Sequence, residues 1–121
     1  MRTAAKVAED YIAVWNEGDA DRRRALLEST WTSTATYADP VAKGAGLAEI
    51  NTIIGSVQQR FPDFVFSLAG NADGHGDAVR FSWALGPRQG AAIVKGTDFV
   101  ARQGDKIATV MGFLDLVPAS A

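Results

Sequence analysis

Tyr11, Asp39 and Asp98 are ionisable side chains set in stretches that otherwise read as core. Tyr11 falls on the apolar stripe of Val7, Val14 and Trp15, spaced as one face of a helix. Asp39 ends a strand-like run and precedes Pro40, and Asp98 shares an alternating face with Val94 and Val100. An unpaired polar group in such surroundings costs roughly 2–7 kcal/mol, so each needs a partner or a task. If the three meet in one cavity, the chemistry on offer is proton transfer. A carboxyl shielded from water has its charged form disfavoured and its pKa raised. That suits it to act as a base near neutrality or, raised further, as a neutral hydrogen-bond donor. One base and two donors converging on an oxygen can enolise a carbonyl compound, the donors stabilising the developing oxyanion. Each residue also has a structural reading: Tyr11 as a core aromatic, Asp39 as a turn residue bonding its own backbone, Asp98 as a partner of Lys95 or Arg102.

Other chemistries find less support. The chain has no cysteine, which excludes disulfides, thiol redox chemistry and thiolate metal sites. Its one histidine, His75, lies in a Gly74-His75-Gly76 run and reads as a solvated loop residue, so no metal and no Ser-His-Asp arrangement is expected. No glycine-rich loop opens a helix after a strand, and no cofactor is expected. A net charge of −2 gives no reason to expect a nucleic-acid partner. The one basic run, Arg22 to Arg24, is flanked by Asp19, Asp21 and Glu28 and reads as a solvated helix face. No stretch approaches the ~18 apolar residues that span a bilayer, and the charged N-terminus lacks the apolar segment of a signal peptide. The expectation is a cytoplasmic protein without a membrane partner.

The elements that must position the three residues follow from period and punctuation. A helix carries Val7 to Trp15 and ends at Gly18. Asp19 caps a second helix through Leu26 and Leu27. Trp31 to Tyr37 is strand-like until Asp39-Pro40 breaks it. Leu47, Ile50, Ile54, Val57 and Phe61 mark a third, amphipathic helix ended by Phe61-Pro62-Asp63. Strands follow: Phe64 to Ala69, a turn region from Gly70 to Asp77, then Val79 to Leu85, Ala91 to Ala101 and Lys106 to Leu116, the last two joined by a hairpin at Gln103-Gly104-Asp105. At 121 residues the chain reads as one domain, residues 1–121. Helices first and antiparallel strands after predict an α+β fold, with three helices on a curved, mostly antiparallel sheet whose concave side forms a small-molecule cavity. Ile93, Phe99, Ile107, Met111 and Phe113 fall on the opposite strand faces. If outward, that face is too apolar to stay exposed, which predicts a homodimer.

The stretch from Tyr11 to Asp19 resembles the first helix of bacterial ketosteroid isomerases, Ala35 to Val41 is similar to their Asp-Pro-Val segment, and Thr97-Asp98-Phe99 is similar to the strand carrying their second oxyanion-hole aspartate. The order and spacing match over nearly the whole chain. Phe61 to Phe64, Arg80 to Trp83 and Gly112 to Asp115 look more like SnoaL-like proteins of the wider nuclear-transport-factor-two-like superfamily. The resemblance implies a cone- or barrel-like α+β fold, often dimeric. It implies Asp39 as general base and Tyr11 and a protonated Asp98 as oxyanion donors. Trp15, Trp31, Phe61, Phe66 and Trp83 are the aromatics expected beside a small apolar carbonyl ligand. Three functions fit: a cofactor-independent isomerase of ketosteroid-isomerase type, a polyketide cyclase closing a ring by aldol chemistry through Asp98, and a non-catalytic ligand-binding or dimeric module. The superfamily hosts all three, and fold alone does not choose between them.

Overall fold

The computed structural model describes residues 2–118. Three helices, α1 (Ala4–Asn16), α2 (Ala20–Thr30) and α3 (Leu47–Arg60), precede or interrupt six strands: β1 (Trp31–Ala38), β2 (Lys43–Ala45), β3 (Phe64–His75), β4 (Ala78–Pro87), β5 (Val94–Gln103) and β6 (Lys106–Leu116). Thr3 caps α1 by accepting the Lys6 amide at 3.1 Å, and Asp19 caps α2 by accepting the Arg22 amide at 2.9 Å, as its position before the helix predicts. The stripe of α1 buries Val7, Ala8, Tyr11, Val14 and Trp15. That of α3 buries Leu47, Ile50 and Ile54. No helix among the described residues is long and apolar enough to cross a membrane.

The six strands form one sheet in the order β2-β1-β6-β5-β4-β3. All pairings are antiparallel except β1 with β6, which run parallel. The sheet is therefore mixed and open, not a closed barrel, because β2 and β3 remain as edges. Register shifts interrupt β1–β6, β3–β4 and β5–β6. Such bulges bend a strand and increase its twist, and the helices pack in the resulting hollow.

Three readings of the sequence change. The stretch from Gly70 is not a turn: β3 continues to His75, a bulge after Ala69 restores pairing at Asp73 with Arg80, and the turn tightens to Gly76-Asp77. Gly70 makes this possible by adopting φ +82°, a conformation that other residues reach only at a cost. Arg23 is not solvated. It is 4 % exposed and donates to Asn51 Oδ1, to Gln58 Oε1 at 2.9 Å and to the Glu17 carbonyl at 2.8 Å. These bonds tie α2 to α3, and a guanidinium so bonded can be buried. On the outer face, Phe99, Met111 and Phe113 are exposed, whereas Ile107 lies in the core and Ile93 packs partly against it.

Candidate active site

Tyr11 and Asp98 meet although 87 residues separate them. Helical period turns Tyr11 inward from α1, and strand alternation turns Asp98 inward from β5 among Val94, Gly96, Val100 and Arg102. The Tyr11 hydroxyl donates to Asp98 Oδ2 at 2.5 Å. The indole N–H of Trp83, on neighbouring β4, donates to Asp98 Oδ1 at 3.1 Å. Asp98 thus partners two neutral donors rather than Lys95 or Arg102. Trp83 is aimed by its cross-strand neighbour Gly96: a β-carbon on Gly96 would collide with the indole ring. The space at Gly96 seats Trp83 instead of adding to the cavity.

Asp39 occupies the turn after β1. Its Oδ1 accepts the amides of Val41 and Ala42, both at 2.8 Å, so the turn reading holds. Its Oδ2 accepts the hydroxyl of Tyr37 at 2.5 Å. The turn does not remove Asp39 from the site, because the residue also lines the same cavity as Tyr11 and Asp98. The two aspartates are brought together by Gly112 of β6, which pairs with Asp98. A β-carbon there would stand 2.9 Å from Asp98 Oδ1 and 3.3 Å from Asp39 Cβ.

The cavity measures about 190 Å³. Its wall is apolar and aromatic, including Trp15, Phe61, Phe66 and Trp83 with Ile12, Leu85, Val94 and Leu114. Trp31, expected beside the ligand, does not line it. It is fully buried behind Tyr11, the two rings stacked at 5.8 Å, and Phe81 meets the Tyr11 ring edge-on at 4.9 Å. These contacts lock the tyrosine ring. Asn16 locks the helix that bears it, donating to the Phe66 carbonyl at 2.9 Å and accepting the Phe66 amide at 2.8 Å.

Burial dominates the electrostatics. It pushes the Asp98 carboxyl up to about 6, against the opposing hydrogen bonds from Tyr11 and Trp83 and with help from the nearby charge of Asp39. Burial, then the neighbouring Asp98 charge, lifts Tyr11 well above its ordinary range. Burial and the hydrogen bond to Asp39 lift Tyr37 likewise. Both hydroxyls are therefore neutral donors at any ordinary pH. Among the described residues no group of histidines and carboxylates is arranged to hold a metal ion.

The sequence reading missed Tyr37 and Arg60 as parts of this cavity, and Gly112 as the point where the two aspartates approach each other. Tyr37 was detectable: two residues before Asp39 on an extended run, it shares that residue's face. Gly112 lies opposite Asp98 once β5 and β6 form a hairpin, but its contact with Asp39 depends on the parallel β1–β6 pairing. The type and order of residues do not specify that pairing.

Comparison with known proteins gives a consistent family. The profile of the SnoaL-like domain matches residues 8–110. A solved structure from Agrobacterium tumefaciens strain C58, described as a candidate isomerase of the SnoaL-like family, is 40% identical, with a TM-score of 0.88 over 94% of this chain and 99% of that one. A candidate ketosteroid isomerase from Kribbella flavida is 15% identical, TM-score 0.70, over 98% of this chain and 82% of that one. A candidate SnoaL-like polyketide cyclase from Jannaschia is 16% identical, TM-score 0.71, over 95% and 90%. The last two show likeness of fold alone. No curated protein matches the sequence.

Proposed function

Since this chain belongs to the SnoaL-like domain family, we propose that it is a cofactor-independent enzyme of isomerase type, moving a proton next to a carbonyl of a small ligand. The observation that carries this reading is the buried Tyr11–Asp98 hydrogen bond facing a cavity that also contains Asp39. Asp39 is the base. An ionised carboxylate offers about four lone-pair sites. Three of those on Asp39 accept from Val41, Ala42 and Tyr37, which leaves one for a substrate proton. Tyr11 is the donor to the substrate oxygen, and Asp98 works behind it. A ligand over Asp98 excludes water and raises its pKa further above about 6. Once protonated, Asp98 donates to Tyr11 Oη through Oδ2 and still accepts from Trp83 through Oδ1. The tyrosine O–H is then free to meet the oxyanion. The isomerase description of the Agrobacterium relative, 40% identical over nearly its whole length, supports the same class.

A second reading has its own observation. Two donors, Tyr11 and Trp83, both point at Asp98, as they would at an ionised base of a polyketide-cyclase type. The two readings predict opposite pH limbs. With Asp98 acting as a neutral acid, turnover falls as pH rises through its pKa in the complex; with Asp98 acting as a base, turnover rises. Deuterium exchange beside the carbonyl of a small ketone tests both. In the leading reading Asp39→Asn loses at least the ~10²-fold that a positioned base contributes, while Asp98→Asn, whose amide also donates to Tyr11, retains most of the rate. The reverse order selects the second reading, and no exchange by the wild-type protein leaves a binding module.

The outer sheet face supports a homodimer. Phe99 and Met111 pair across β5 and β6, and Phe99 meets Phe113 edge-on at 5.7 Å. These side chains are about half exposed and form one apolar patch. Sedimentation should give a dimer at micromolar concentration, and a monomer alone would refute it.

A further inference from the structure

Among the described residues, three charged ones line the cavity: Asp39, Asp98 and Arg60. The two carboxylates have donors of their own. Arg60 does not have the reverse. Among the described residues no carboxylate lies within ion-pair range of it, and its guanidinium rests 5.8 Å from the Phe61 ring centre, over a residue of the cavity wall. It is exposed, whereas Asp98 is 2 % exposed. The lining therefore runs from a buried carboxyl–phenol pair to an exposed cation that has no carboxylate partner among the described residues. Arg60 also lies in the last turn of α3, where a cation suits the helix dipole. That accounts for a positive charge there, but not for its place on the wall of this cavity.

Size sets a second limit. At about 190 Å³ the cavity is close to the ~150 Å³ engineered cavity that holds a benzene ring. It is below the roughly 300–1,000 Å³ of pockets for drug-sized molecules. A fused steroid nucleus is too large for it to enclose. A single ring or a short branched chain fits.

We propose that the substrate is a one-ring or short-chain carbonyl compound with an anionic group at the end remote from its reacting carbon, and that Arg60 selects it by receiving that anion. This rests on the proton-transfer reading above for the carbonyl end. The anion end stands on Arg60 and the cavity dimensions. A planar fork of donors suits a carboxylate, which it can bind through two parallel bonds.

The test uses calorimetry at low salt with three probes: 4-acetylbenzoate, 4-methylacetophenone, which replaces the carboxylate with a methyl group, and a steroid enone. The wild-type protein should bind 4-acetylbenzoate about fivefold more tightly than the neutral ketone, the upper range for a partly exposed ion pair, and the steroid most weakly. Added salt should shrink the preference. Arg60→Gln should abolish it, and Arg60→Glu should invert it. Equal affinities in the wild-type protein, a preference that survives Arg60→Gln, steroid binding as tight as that of the acid, or no binding of either small ketone would each overturn the proposal. Deuterium exchange into the acetyl group of 4-acetylbenzoate is followed in the same samples. Arg60-dependent binding without exchange would refute the proton-transfer reading and leave the anion selectivity standing.

Discussion

Asp98→Asn should make the protein more stable at neutral pH, although it alters a buried hydrogen-bonded residue. Asp98 is 2 % exposed, and burial moves its carboxyl from an ordinary 3.8 up to about 6. The folded protein therefore holds that proton more tightly than the unfolded chain does. The stability this group contributes is fully present below about pH 4 and is lost as pH rises through about 6. The interval between the two values, at 1.36 kcal/mol per pH unit, corresponds to about 3 kcal/mol. Asparagine keeps the shape and removes the charge. Its amide donates to Tyr11 Oη and its carbonyl accepts from the Trp83 indole, so neither partner is left unpaired. Urea unfolding of both proteins from about pH 4.5 to about pH 8 provides the assay. Other groups titrate in both, so the readout is the difference between them. It should be small at the acid end and grow to about 2–3 kcal/mol in favour of the variant at the alkaline end. A variant less stable than the wild type at pH 8, or a difference independent of pH, would refute the account of Asp98.

Two further outcomes follow from the same geometry. The protein has two tyrosines, and burial raises both Tyr11 and Tyr37; ultraviolet titration should show no tyrosinate near the usual value of about 10, and then both ionising together as the fold is lost, whereas one ordinary titration in the native protein would count against their burial beside the aspartates. Gly112→Ala places a β-carbon 2.9 Å from Asp98 Oδ1; overpacking should cost about 1–3 kcal/mol and pull Asp98 from Trp83, read as a change in indole fluorescence alongside the urea midpoint, and an unchanged midpoint would show that the carboxylates are less closely set.

The sequence revealed the site in proportion to how local its causes are. Helical period alone turns Tyr11 inward, and strand alternation alone turns Asp98 inward, so both were legible. Resemblance to known isomerases linked them to Asp39. What short-range pattern could not supply was the partner of each group. Trp31 and Trp15 look alike in the chain, yet one, at the start of β1, stacks on Tyr11 and the other, in α1, lines the cavity. Arg23 looked solvated because its partners, Asn51 and Gln58, lie on another helix. The extended β3 was hidden by its glycines, which signal turns when read locally and a bulge once β4 is alongside. The parallel pairing of β1 with β6, which carries Asp39 to Gly112, has no local signature at all.

The central claim is that Asp98 is a carboxyl held near neutrality behind Tyr11 and protonated when the cavity is filled. Carbon-13 NMR titration of the aspartate carboxyls, with and without bound phenolate as a mimic of the oxyanion, measures this directly. The account predicts that Asp98 titrates at about 6 in the free protein and moves upward in the complex. An Asp98 that titrates near 4, the ordinary value for a solvated aspartate, and ignores the ligand would contradict it.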